Sequence, residues 1–268
     1  MSHWSNTTAS ANRALKWRSY WNLFLSLVSR DIRARYRRTI LGPLWAIIPA
    51  ILTTAIFSFL HRVVEIDTEG APHLVFVFAA TVPWTYFQTS VIRIPFGILA
   101  NGTLLRKMAV PRFIFPLVVL ATTFFDFIMS SIVLFVALLL YQMPVTWAWL
   151  WLPLLVAMVS LLAWGVGIGI AAFTVYRRDM LHGLQYFMQV WLFLTPVIYS
   201  SKELASNLQI VYRLNPTVGI IDGFRRVLIF GQPPDPVSLL ISLVVTLLIL
   251  LVAFPLFQVL SQYFADVL

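Results

Sequence analysis

The chain has 268 residues, of which 60% are hydrophobic and 11% charged, with a formal net charge of +9 and a mean hydropathy of +0.87. A soluble domain carries about 25% charged residues, so this composition describes a polytopic membrane protein and excludes a separate soluble domain. The absence of cysteine excludes disulfides, thiolate metal sites and cysteine nucleophiles. Most of the basic residues flank apolar spans, where they set orientation and meet anionic lipid, so the charge does not call for nucleic acid.

Residues 1–16 read as a flexible tail rich in Ser, Thr and Asn. Residues 17–39 read as an amphipathic helix lying along the membrane interface. Trp17, Trp21, Phe24, Leu25, Val28 and Ile32 share one face, and Arg18, Asn22, Ser26, Ser29, Arg30, Arg33 and Arg37 the other. The stretch from Arg30 to Pro49, RDIRARYRRTILGPLWAIIP, then runs a cationic block into an apolar span. No small-residue cleavage site separates the two, which argues against a signal peptide.

Residues 40–268 are predicted to form a six-span, all-α transmembrane domain, with spans at about 41–60, 74–91, 114–141, 150–175, 184–199 and 237–260. Six spans place both termini on one side. With that side cytoplasmic, 14 of the 19 Lys and Arg residues face the cytoplasm, as the positive-inside rule requires. The loop 93–112 is then cytoplasmic, and the loop 200–236 lies outside. Within the latter, Ser200 and Glu203 have capping-box spacing. Asn215-Pro216 reads as a cap followed by a first-turn proline. Val218–Phe230 is apolar but too short to cross a core of ~30 Å, which predicts a short re-entrant or interfacial helix.

Catalytic and nucleotide chemistry is missing from the sequence. The histidines at 3, 61, 73 and 182 have no metal spacing. There is no Gly-rich Lys-Ser/Thr loop for phosphates. Asp126 is the one acidic residue deep in a predicted span, and a lone carboxylate makes neither a proton relay nor a catalytic pair. Gly165, Gly167 and Gly169 sit inside a span, where Gly165 and Gly169 read as a close helix-packing site and not as a dinucleotide fingerprint. The aromatic content of 15% is high, and aromatic faces stack on sugars while arginines bind phosphates.

Six stretches in order resemble the permease subunits of type-2 ABC polysaccharide exporters, which move O-antigen, capsule and teichoic acid. They are RDIRARYRRTILGPLWAIIPA, FAATVPWTYF from Phe78, NGTLLRKMAVPRFIFP from Asn101, YRRD from Tyr176, QVWLFLTPVIY from Gln189 and LNPTVGIIDGFR from Leu214. They cover about residues 20–230, and the last span shares only hydrophobicity. The resemblance implies a multi-pass protein of the bacterial inner membrane that is not an enzyme on its own. Its partners would be a second copy of itself, two separate ABC ATPase subunits that bind ATP and Mg, membrane lipid, and a polysaccharide linked to polyprenyl diphosphate.

Roles follow from the same resemblance. Asn101, Leu104, Leu105, Arg106, Lys107 and Arg112 would belong to a coupling helix that meets the ATPase, and the helix at 17–39 would lie beside it. Arg33, Arg35, Arg37 and Arg38 would meet the diphosphate headgroup. Trp45, Trp84, Tyr86, Phe87, Trp191, Phe193 and Tyr199 would line a sugar channel. Asn215, Pro216, Asp222 and Arg225 would belong to gate helices on the outer side. Two other readings compete: a drug or lipid exporter of the same superfamily, and a membrane-embedded glycan or lipid transferase. A purely structural membrane subunit is a third.

Overall fold

The computed structural model describes residues 4–37, 39–61, 68–102, 111–199, 212, 214–262 and 264. Among these, all regular structure is helical. The principal helices are α1 (Trp4–Tyr36), α2 (Ile48–His61), α3 (His73–Ala100), α4 (Ile114–Leu140), α5 (Leu152–Thr174), α6 (Met180–Phe193), α7 (Pro216–Leu228) and α8 (Pro236–Ser261). Short 3₁₀ turns at Gly42–Ala46 and Trp147–Trp151 lead into α2 and α5.

Among the described residues, four helices are long and apolar enough to cross a membrane: α3, α4, α5 with its leading turn, and α8. They fall where spans 2, 3, 4 and 6 are predicted. α2 and α6 have 14 residues each, about 21 Å of helix, short of a ~30 Å hydrocarbon core. Span 1 is divided by the Gly42–Ala46 turn, where Gly42 takes φ +53° ahead of Pro43. Span 5 begins earlier than predicted and stops at Phe193, because the chain turns at Thr195 and Pro196 and packs inward, with Thr195 to Ile198 buried.

Two other boundaries differ from the sequence reading. Helix α1 starts at Trp4, inside the predicted tail, since no proline or glycine interrupts the chain from Trp4 to Tyr36. Helix α3 continues past Val91 to Ala100. Arg93, which marked the loop in the sequence, is tolerated inside the helix because a carboxylate on α4 faces it.

Helix α3 is the axis of the bundle. It packs on α2, α4, α5, α6 and α7, and 78% of its apolar window is buried, against 28% for α4 and 22% for α8. Glycines set the closest approaches. A Cβ on Gly165 would lie 3.0 Å from Leu250 of α8, and one on Gly169 would lie 3.3 Å from Ala253, as the helix-packing reading predicts. Gly167, between them, faces the other way. Its Cβ would lie 2.5 Å from Ile94 of α3.

Helix α1 lies against α4, but with a rotated face. Tyr20, Leu23, Phe24, Leu27 and Val28 pack on the bundle, while Trp21 and Leu25 of the predicted apolar stripe are exposed. Apolar residues occur on both flanks of this helix, so periodicity alone did not select the packed one.

Candidate functional site

The short helix predicted in the outer loop is present as α7. Asn215 caps it as expected: its Oδ1 accepts from Thr217 N at 3.1 Å and from Thr217 Oγ1 at 2.7 Å, and Pro216 opens the first turn. The same side chain also binds α6 and the turn after it. Trp191 Nε1 donates to Asn215 Oδ1 at 3.1 Å, and Asn215 Nδ2 donates to the Leu194 carbonyl at 2.9 Å. Asn215→Ala is expected to lose the cap and strand the Leu194 carbonyl, costing about 2 kcal/mol. Thermal unfolding of the purified chain reads this, with Asn215→Asp intermediate because it keeps the acceptor and loses the donor.

Among the described residues, Arg225 is the largest charged group in the interior, at 1% exposure. Its Nη2 donates to the Val197 carbonyl at 2.6 Å, its Nη1 to Tyr199 at 2.9 Å, and its Nε to Phe76 at 3.3 Å. Its guanidinium also lies 3.8 Å from the Phe76 ring centroid. Where α6 unwinds, the carbonyls of Val197 and Tyr199 need donors, because backbone polar groups packed inside a protein are costly when unmet. One arginine supplies both. Asp222, one turn earlier, and Glu69 act on Arg225 electrostatically.

The seven aromatics read as channel candidates divide. Trp84, Tyr86 and Phe87 are at 1%, 3% and 1% exposure. They hold helices together: Phe87 packs edge-on against Trp191 with centroids 5.2 Å apart, and Tyr86 donates or accepts at Ser160 Oγ, 2.9 Å away. In this conformation Trp84 and Phe87 are enclosed by neighbouring helices, whereas Tyr86, although buried, also borders two cavities. Trp191 and Tyr199 are half-buried. Trp45 and Phe193 are exposed, at 52% and 62%, and lie on the two short, thinly covered segments beside α3.

The arginines of the basic block also divide. Arg33 and Arg37 are exposed, and Arg33 Nε returns to the Ser29 carbonyl of its own helix. Arg38 lies outside the described residues. Arg35 turns inward and binds Asp126 Oδ2, while the Tyr36 hydroxyl donates to Asp126 Oδ1. Burial, with the hydrogen bond to Asp126 next, pushes the Tyr36 hydroxyl up to about 12, so it stays protonated and donating. Arg93 Nη1 lies 3.8 Å from Asp126 Oδ2. The carboxylate that stood alone in the sequence therefore joins α1, α3 and α4. Its partners were invisible because Arg35 lies 91 positions away in sequence. The available signal was the cost of an unpaired charge in a span.

Of the coupling candidates, Leu104, Leu105, Arg106 and Lys107 lie outside the described residues. The two flanking candidates are anchored. Asn101 Oδ1 accepts from Arg30 Nη2 of α1 at 2.9 Å, and its Nδ2 donates to the Gly97 carbonyl at 2.8 Å. Arg112 Nη1 donates to the Ser261 carbonyl at the end of α8. Asp222 lies on α7, and no group of three or more His, Asp or Glu side chains is placed to hold a metal among the described residues.

Comparison with known proteins matches residues 22–229 to the family described as ABC-2 type transporter. The matched segment stops before α8, the helix for which only hydrophobicity was shared. The chain is 28% identical over 250 residues to the O-antigen export system permease protein RfbA of Myxococcus xanthus, covering 92% of this chain and 95% of that protein. Two proteins of the same description from Klebsiella pneumoniae are 24% and 22% identical over 212 residues, each covering 79% of this chain and 82% of the relative.

Proposed function

Because the chain belongs to the ABC-2 type transporter family, we propose that it is the permease half of an exporter that moves a polyprenyl-diphosphate-linked, O-antigen-like polysaccharide across the bacterial inner membrane. The observation that carries this reading is the full-length likeness to O-antigen export permeases, on a bundle whose sequence contains no nucleotide-binding motif. The energy comes from ATP hydrolysis in a separate ABC ATPase, two copies of which dock on the cytoplasmic face. The loop around 101–112 transmits the stroke, and its anchored ends support that role.

A second copy of the chain completes the pathway. Helices α2 and α6 are covered on one side by α3 and leave Phe59, Tyr186, Phe187 and Phe193 exposed on the other. These rings, with Trp45, supply stacking surfaces for sugars. The uncovered faces, together with the family, support a six-segment arrangement in which the short α2 and α6 lie next to the partner copy and both termini are cytoplasmic. The exposed Arg33 and Arg37, with Arg38, suit a phosphate-rich surface at the inner leaflet.

Reconstitution in proteoliposomes with the cognate ATPase tests the proposal. A lipid-linked glycan should stimulate ATP turnover and become accessible on the far side. Glycan modification by this chain without any ATPase would overturn it in favour of a membrane transferase, and stimulation by drugs or free lipids in place of glycan would favour the other exporter class.

A further inference from the structure

The ion cluster at Asp126 borders a cavity of about 310 Å³ between α1, the turn at Gly42–Ala46, α3 and α4. Arg35, Tyr36, Trp45, Thr85, Thr89 and Arg93 are among the residues that line it. Two guanidiniums share one carboxylate, so the cavity carries excess positive charge. Asp126 occupies Arg35 and Tyr36. Arg93 approaches no closer than 3.8 Å and makes no hydrogen bond among the described residues, so its fork of donors is unspent. The threonines add hydroxyl donors on the α3 wall. The space left beside the carboxylate admits several water-sized groups.

A fork of two arginines with hydroxyls beside it matches the donor pattern that binds phosphate oxygens bidentately. A positive excess at membrane depth is costly to keep without a function. We propose that this cavity is a binding site for a phosphate or diphosphate ester, held by Arg35 and Arg93, with Asp126 as an internal placeholder that releases Arg35 when the anion arrives. Before the ligand binds, Asp126 holds Arg35 aimed into the cavity. When the ligand binds, phosphate oxygens replace the carboxylate, and Tyr36 is freed to donate to them.

The source of the anion is either a lipid headgroup or a free phosphate species. Tyr86, in the cavity wall, also borders an apolar groove of about 1030 Å³ lined by Trp21, Phe24, Leu117, Phe124 and Val156, so hydrocarbon-compatible surface lies on the far side of one ring. The choice of a lipid-linked glycan as the source rests on the exporter reading above, whereas the anion site does not.

The test uses the full chain in nanodiscs of zwitterionic lipid, which carry no competing anionic headgroup. Calorimetric titration with inorganic diphosphate and with a short-chain prenyl diphosphate gives the affinities. Arg93→Gln should weaken binding about ten- to hundredfold. This variant removes no hydrogen bond of the unliganded chain, and its monodispersity checks the fold. Asp126→Asn should tighten binding about tenfold, since it removes the competing carboxylate. A merely structural ion pair predicts the opposite or no change.

Binding of the prenyl diphosphate alone assigns the site to a lipid headgroup, and binding of both probes establishes a general phosphate site. If neither probe binds, or if Arg93→Gln and Asp126→Asn leave affinity unchanged, the proposal fails. Glycan-stimulated ATP turnover by the complex, measured in the same discs, separates the two readings. Turnover without probe binding removes this site and spares the exporter, and probe binding without glycan-stimulated turnover does the reverse.

Discussion

Arg225→Met should prevent the chain from accumulating in a folded form. The substitution keeps much of the hydrophobic volume and the contact with the Phe76 ring, but it removes every donor from the guanidinium. Three carbonyls, of Val197, Tyr199 and Phe76, then lose a charged donor, and two of those bonds are buried. Leaving buried acceptors unmet costs about 1–3 kcal/mol each, and a bundle of this kind has a stability margin of about 5–15 kcal/mol. The loss should appear as a large fall in the thermal midpoint and in membrane abundance. Arg225→Lys, with one cationic head for three carbonyls in a fixed fan, should recover only part of it. Abundance equal to that of the unmodified protein in Arg225→Met would show that these carbonyls find other donors.

The second large effect is expected at Gly219→Val. Helix α7 crosses α8 so closely that a Cβ at Gly219 would lie 2.3 Å from the Ser238 carbonyl oxygen and 2.5 Å from Ser242 Oγ. The first of these is backbone and cannot rotate away, so one helix must move. Overpacking of this kind costs about 1–3 kcal/mol, and here the displacement also pulls Arg225, on the next turns of the same helix, off its carbonyls. The combined loss should exceed that of an isolated clash. Gly183→Ala is the control, because nothing lies within 4 Å of a Cβ there. Differential scanning fluorimetry of the two variants should show a marked loss for Gly219→Val and none for Gly183→Ala. Equal midpoints would mean that α7 can be shifted freely.

These positions show what a linear reading of such a chain can reach. The cap at Asn215-Pro216 was legible because its chemistry is local: side-chain oxygen, proline and the amide of Thr217 lie within three consecutive residues. The close packing at Gly165 and Gly169 was legible because small residues one turn apart have few other uses in a span. The four long helices declared themselves by length and hydropathy.

Arg225 looked like one more charge in an outer loop, since the carbonyls it binds come from segments 26 and 149 residues away. Asp126 looked isolated for the same reason. Trp84, Tyr86 and Phe87 illustrate a different limit. In a membrane chain an aromatic run has the same composition whether it faces a lumen, lipid or another helix, and only the packing of α3 at the centre of the bundle decides.

The two anchors of the 101–112 segment have a mechanical meaning. One end is tied through Asn101 to Arg30 on α1, and the other through Arg112 to the last turn of α8. These helices are the first and last principal elements of the chain and pack on different parts of the bundle. If this segment couples to an ATPase as proposed above, a load on it divides between two lever arms. One runs through α1 and, through Arg35, to the Asp126 cluster. The other runs the length of α8 to α7, which packs on its first turns. A single push then reaches both without bending α3, the most deeply buried of the long helices.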